Sequence, residues 1–436
     1  MQYSTPTFIH PEYTEHQRQL KIVNDMFSGI DTAKQYIQKY AQEATADYSD
    51  RQNIATLDNF VFRTVEDIKN IIFRKSIDET NVTNNTMLKY IEQIDFQIDL
   101  NEFAKRVLVN RIKDGYTFIL ADSIRYDDTL LSNNAQKDAY NIRPYLVNIL
   151  RENVLNWQLD EVGNYTQITI REFYQEKSGY ATLTFEQLKV WNVDGTVEIW
   201  RKGELVDIWD TGIKTIPIVK IGKDLIPPLY DMAKLNITHM NRNSEVDIYT
   251  RVGGAPFLAV FGLQDQKGAQ QTLGINKGLS FSDKSQSDVK WIEMDGKNYD
   301  MLKDRILYIE DQMKRIAVDF TTKLDTIKTA TQVNKESMSG ESKATDYAIQ
   351  LEMGINQALA MMNLYEELGV NEIEVNTDFD SSILSPDMVT SYRLDVASGL
   401  LSEDSFREIM IAGEYFPYMT PEEIETEKAR LSNMGG

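Results

Sequence analysis

Three histidines, His10, His16 and His239, and no cysteine make up the whole supply of imidazole and thiolate metal ligands in this 436-residue chain. His10 and His16 stand six positions apart, which is not one helical face, and no carboxylate pair beside them completes a coordination set. His239 lies in a polar, helix-like stretch and is expected on its exposed side. The absence of cysteine excludes disulfides and thiolate sites and fits synthesis in a reducing compartment. No GxxxxGK[ST] loop is present, and no GxGxxG leads into a helix, so neither common phosphate cradle occurs. Asp and Glu total 67, but no two are set apart as an acid–base pair. The expectation is a protein that is not an enzyme and holds no cofactor or metal.

Charge narrows the partners. The formal net charge is −21. From Glu366 to the end sixteen acidic residues face only Arg393, Arg407, Lys428 and Arg430, so more than half of the excess falls in the last sixth of the chain. Such a surface repels phosphate and argues against tight nucleic-acid binding through a basic patch. No apolar run reaches the roughly 20 residues of a membrane span. The N-terminus MQYSTPTFIHPEYTEH lacks a basic stretch followed by an apolar one, so no secretory signal is expected.

The elements follow from periodicity. Val65, Ile68, Ile72 and Phe73 share one helical face, and Leu88, Ile91, Ile94 and Leu100 mark another helix that continues or restarts at Phe103, Val107 and Leu108. From Gly115 to Ile221 the period shifts toward two, with strands expected at 116–120, 142–147, 165–174, 180–193, 196–200, 205–209 and 216–221. Trp and Tyr at this spacing are expected as sheet core rather than as a ligand platform. Pro227-Pro228 opens a helix that runs to about Thr250 and stops at RVGGAPFLAVFG, where Gly253, Gly254 and Pro256 precede the strand-like run Phe257 to Phe261. Further short strands are expected at 278–282 and 289–294. Then Tyr299, Leu302, Ile306, Ile309, Met313, Ile316 and Phe320 repeat at alternating spacings of three and four. That seam fits an ordinary buried face as well as a contact between subunits. Two helices of nearly equal length thus bracket a small β-rich insert, which predicts a hairpin of helices with the insert at its tip. The polar stretch 321–342 reads as a loop, or as a helix with no buried face. A helix over 343–368, a strand at 371–376 and short C-terminal helices follow.

In this order the segments resemble the portal proteins of tailed double-stranded DNA bacteriophages. The resemblance is carried by HPEY (10–13), NDMFSG (24–29), TVEDIKNIIFRKS (64–76) and RPYLVNILRENVLNW (143–157). Its most specific part is IPIVKIG (216–222) with PPLYDMAKLNITHMNRNSEVDIYTRVGGAPFLAVFGL (227–263), followed by KTAT (328–331) and GLLSEDSF (399–406). It implies a mainly helical α+β protomer. Residues 1–225 would be an α/β wing, 226–251 and 298–320 two stem helices, and 252–297 a small β-containing clip. A tunnel loop would occupy 321–342, a returning wing helix and strand 343–384, and a helical crown 385–436. It also implies a homo-oligomeric ring, a dodecamer, at one capsid vertex of a virion, synthesised in the bacterial cytoplasm and passing double-stranded DNA without sequence preference. The terminase large subunit, the major capsid or scaffolding protein and a head-completion or tail adaptor would be its partners. Lys328, Thr329, Thr331, Gln332, Asn334 and Lys335 would face the channel. Leu302, Ile306, Ile309, Met313 and Ile316 would pack the stem, and Gly253, Gly254, Pro256, Phe257 and Phe261 would form the way into the clip. The alternatives are another ring-forming head–tail adaptor, and a cytosolic ligand-binding protein or enzyme built on the aromatic β-rich segment.

Overall fold

The structure is a computed structural model that describes residues 5–125, 140–253, 257–261, 288–292, 297–318, 330–377 and 386–412. The chain divides into a unit of residues 1–377 and a unit of residues 378–436.

The first unit opens with helices. These are α1 (Pro11–Glu15), α2 (Gln17–Ser28), α3 (Ile30–Ala33), α4 (Thr45–Ile54), α5 (Phe60–Ile72), α6 (Asn85–Ile91) and α7 (Leu100–Asp114). Helix α5 begins where the Asn59 side chain accepts the Phe62 N–H, and it buries Val61, Val65, Ile68 and Ile72 along one stripe. Asp99 caps α7 in the same way, so the chain restarts there rather than running on from α6. Phe73, expected on the α5 face, is instead the C-cap residue.

Among the described residues eight strands follow in two antiparallel sheets. They are β1 (Thr117–Ser123), β2 (Pro144–Ile149), β3 (Val154–Leu159), β4 (Tyr165–Ser178), β5 (Ala181–Asn192), β6 (Thr196–Arg201), β7 (Glu204–Asp210) and β8 (Ile218–Ile221). The smaller sheet has the order β2-β1-β8, and the larger is the meander β3-β4-β5-β6-β7. Phe118 and Leu120 of β1 share one core with Ile168, Ile170, Trp191 and Val197 of the meander, flanked by half-buried Trp157, Tyr165 and Trp209. The aromatic residues are therefore largely core. Ile119 and Ala121, on the opposite face of β1, are equally buried.

Next come α8 (Tyr230–Gly253), β9 (Phe257–Phe261), β10 (Asp288–Ile292), α9 (Lys297–Val318) and α10 (Ala330–Met362). Helix α10 packs on β1 and β8. There Gly354 lies so close to Ile221 that a Cβ would come within 2.4 Å of its Cγ1. The segment 371–376 is not a strand. It makes one antiparallel bridge, Asp78 to Glu374, because α10 side chains satisfy its neighbours: Asn356 Oδ1 accepts the Ile373 N–H and Glu352 Oε2 accepts the Val375 N–H, both at 2.8 Å.

In the second unit α11 (Pro386–Ala397) and α12 (Glu403–Ala412) enclose a small core of Val389 and Met410 with Tyr392, Phe406 and Ile409. Ser402 Oγ accepts the Ser405 N–H before α12, an N-cap readable in the sequence.

One buried acid gives a test of the first core. Asp114, at the end of α7, is 1% exposed, and its Oδ1 and the Oδ1 of Asn24 both lack a hydrogen-bond partner. Burial pushes the Asp114 carboxyl up to about 6, opposed by the Lys113 ammonium. Because the folded value is raised, the stability linked to this group is fully present below the unfolded value of about 4 and is lost as the pH rises to about 6. Asp114→Asn is therefore expected to exceed the wild type by about 3 kcal/mol at about pH 8 and to come close to it near pH 4. Urea unfolding at both pH values reads the difference, and a constant gap would assign the effect to packing.

Candidate functional site

The helical pair α8 and α9 is where the sequence concentrates its regularity. The two helices have 24 and 22 residues, about 36 and 33 Å at 1.5 Å per residue, and they pack against each other. Between them β9 and β10 pair antiparallel, Phe257 with Ile292 and Phe261 with Asp288. His239 and Glu310, which meet at 3.3 Å, lie almost equally far along the chain from this β pair, as an antiparallel hairpin of helices requires. Gly253 is the last residue of α8. Gly254, Pro256 and the expected strand 278–282 lie outside the described residues, as does Phe320 of the seam.

The seam divides. Ile309 and Met313 have no exposed surface, while Leu302, Ile306 and Ile316 are half-buried. Helix α9 also carries an outward stripe. Met301 is 71% and Tyr308 52% exposed; Arg305, between them, lies over the Tyr308 ring at 5.1 Å. Leu307 is exposed as well. A helix with apolar residues on both sides of its charged positions has more than one face to cover.

His239 corrects the expectation that it is exposed, since it is completely buried. Its ring meets Glu310 through Nε2 and Asn243 through Nδ1, and stands edge-on to Phe60 with centroids 5.9 Å apart. The reason is that α8 turns polar residues inward. Met232, Ala233, Asn236, His239, Met240 and Ser244 form its fully buried stripe, and each polar member serves the N-terminal layer or α9. Asn236 Oδ1 accepts the Phe60 N–H at 3.1 Å, while its Nδ2 donates to Asp58 O at 2.8 Å. Asn241, half-buried beside the stripe, accepts from Gln38 N–H and donates to Tyr36 O.

Ser244 Oγ accepts from Arg51 Nη1 at 3.2 Å. Arg51, with no exposed surface, also binds Glu43 through Nε and Nη2 at 2.8 Å each and the Gln38 carbonyl through Nη2. Its guanidinium lies over the rings of Tyr40 and Tyr48. Hydrogen bonding to Arg51 holds the Glu43 carboxyl below its ordinary value. Nothing in the hydropathy pattern marks Arg51 or Asn236; a polar residue at helical spacing inside α8 was the only available signal.

The proposed channel residues divide too. Lys328 and Thr329 lie outside the described residues, whereas Thr331, Gln332, Asn334 and Lys335 belong to the first turns of α10, which starts at Ala330 rather than at 343. The stretch lacks proline, and its alanine, glutamine, lysine and glutamate favour helix. His10 serves structure: its Nδ1 accepts the Glu12 N–H, and its ring stacks on Trp157 at 3.9 Å. Among the described residues no group of three His, Cys, Asp or Glu could hold a metal, and no described helix is long and apolar enough to cross a membrane.

With the hairpin placed, comparison with known proteins isolates the same region. A family model described as "Domain of unknown function (DUF4055)" matches residues 228–366. That span opens just before α8 and closes just after α10. No curated protein matches. Among solved structures, a chain of the virion of a native gene transfer agent particle is 12% identical over 80% of this chain and 89% of its own, with a TM-score of 0.42. A chain of the neck of an empty gene transfer agent particle, computed with C6 symmetry, is 12% identical over 85% and 94%, with a TM-score of 0.45. A third, from the neck of a native particle computed with C12 symmetry, is 12% identical over 80% and 89%, at 0.39.

Proposed function

We propose that this chain is a structural subunit of a phage-like particle, a portal-type protomer whose copies close into a ring at the capsid vertex that passes double-stranded DNA. The observation that carries the reading is the helical hairpin. Two helices of matched length end in a β pair at one end and are fastened near the other by the inward polar stripe of α8, in the order of segments that resembles portal proteins. In this reading α8 and α9 are the stem and β9 and β10 belong to the clip, the part that would meet a packaging motor and later a head-completion protein. In the same reading the start of α10 would serve as the tunnel loop. The net charge of −21 suits a duct, because a wall that neutralised phosphates would release counterions and hold the DNA.

A closed ring needs two different surfaces on each protomer. The outward stripe of Met301, Arg305 and Tyr308 is one candidate, and it shifts the test away from Ile309, whose burial is internal to the chain. Negative-stain images of the purified chain are expected to show closed rings with a central hole wide enough for a DNA duplex. Tyr308→Asp is expected to leave a folded chain, judged by circular dichroism, with ring particles reduced at least tenfold. Monomers of wild type at every concentration would overturn the ring. Normal rings from Tyr308→Asp would move the contact to another face. A ring whose hole is too narrow for a duplex would favour another kind of structural adaptor.

A further inference from the structure

Between the two sheets of the first unit lies a charged cluster that plays no part in the hairpin. Asp122 on β1 and Lys189 on β5 are 8% and 9% exposed, and Lys189 Nζ stands 2.7 Å from Asp122 Oδ2. Glu172 on β4 brings Oε1 to 3.9 Å from the same Nζ, and its Oε2 accepts from Gln187 Nε2 at 3.2 Å. The far oxygen of Asp122, Oδ1, accepts the backbone N–H of Ser123 at 2.8 Å. The Tyr145 hydroxyl lies 3.5 Å from Oδ2. Trp191 and Trp209 wall the amine, with ring centroids 5.0 and 6.0 Å from Nζ. As an ion pair alone this arrangement is a poor way to join two sheets, since desolvating both charges offsets most of their attraction and apolar residues would serve as well. It has two features that an ion pair does not need: a second carboxylate within reach of the amine, and a fixed N–H donor on the far oxygen of the first.

We propose that Lys189 and Asp122 condense into an isopeptide bond that ties β5 to β1, with Glu172 carrying the protons. Proton transfer within the sheltered pair yields a neutral amine and a neutral carboxylic acid. The Nζ lone pair attacks Asp122 Cγ, and charge collects on Oδ1, where the Ser123 N–H is already aimed. Glu172 accepts a proton from Nζ and delivers it to Oδ2, which departs as water. One Nζ–Cγ bond forms and one Cγ–Oδ2 bond breaks. One water leaves, Glu172 returns to its starting state, and nothing is oxidised or reduced. Strands that hold the reactants in contact supply the proximity that makes a slow condensation feasible, and the half-buried Glu172 leaves a way out for the water.

The full-length chain, purified and denatured, decides the matter by intact mass. The expected mass is that of the sequence less one water, and trypsin is expected to yield one branched species joining peptide 114–125 to peptide 178–201, uncut after Lys189. Glu172→Gln is expected to restore the full sequence mass in freshly made protein, with bond formation slowed about a hundredfold. A wild-type chain at its full sequence mass, cut normally after Lys189, would overturn the proposal. A bond that forms at the wild-type rate in Glu172→Gln would overturn the role of Glu172.

Discussion

Arg51→Ala is expected to lower the free energy of unfolding by about 3–5 kcal/mol, because removing one partner of a buried pair leaves the other charge uncompensated. The guanidinium is the hub on which the N-terminal layer meets α8. It reaches Glu43, the Gln38 carbonyl and Ser244, and lies over the rings of Tyr40 and Tyr48. A urea titration reads the loss as a lower midpoint at unchanged slope. The pH dependence follows from Glu43, whose carboxyl is held low by hydrogen bonding to Arg51. A depressed folded value means that its stabilisation is present above the unfolded value of about 4.3 and disappears as the pH falls through the lower folded one. The gap between wild type and Arg51→Ala should therefore narrow in acid. The double variant Arg51→Met with Glu43→Leu should recover most of the loss, since apolar side chains of similar volume replace such a pair at little cost. A double variant as unstable as the single one would show that the tyrosine rings and Ser244, rather than the charge pair, hold the layer.

Gly222→Ala is the second large effect, at about 3–4 kcal/mol from backbone and packing together. Gly222 has φ +87°, and a Cβ there would lie 2.2 Å from Arg111 Nε and 2.7 Å from the Gly115 carbonyl oxygen. Arg111 has little room to retreat. It is 2% exposed, paired with Asp224 at 2.8 Å, bonded to Gln350 at 3.0 Å and laid over Tyr347 at 4.8 Å. These contacts fix the stretch that leads into α8, so the variant should also raise amide exchange in the first turn of that helix. Gly203→Ala is the control. Its φ of +85° is nearly the same but nothing lies within 4 Å of the added carbon, so only the left-handed backbone cost of about 1 kcal/mol remains. Equal losses in the two variants would show that Arg111 gives way freely.

Legibility followed the kind of partner each residue has. Most strands between 116 and 221 were readable, those of the meander because burying one face writes a period of two into the sequence and β1 because both of its faces are buried in an apolar run; β3 was not among those expected. Helix α8 was readable from its ends, with Pro227-Pro228 before it and Gly253 closing it, and α9 from its seam. The inward face of α8 was not, because Asn236, His239 and Ser244 are buried against polar groups of residues 51–60 and of α9, and hydropathy counts such residues as exposed. The strand expected at 371–376 failed for a related reason: side chains Asn356 and Glu352 take up backbone N–H groups that a neighbouring strand would otherwise have bonded. The early start of α10 was hidden because a lack of bulky apolar residues signals an unburied segment without excluding a helical one. Of the candidate site, the hairpin was legible in outline. The outward stripe of α9 was not, since Met301 and Tyr308 fall outside the heptad seam.

Helix α10 runs unbroken for 33 residues, about 50 Å, and at Gly354 it rests on Ile221 with no space for a methyl group. Its buried face at Tyr347, Leu351, Ile355, Leu359 and Met362 seats it over several turns, and Gly354 is the keyway of that seat. The notch at Gly354 fixes where the helix sits along β8, so it cannot slide without lifting off Ile221. A load on the helix would reach the sheet through that seat, and the strand it rests on, β8, leads through Gly222 and a short connection into α8.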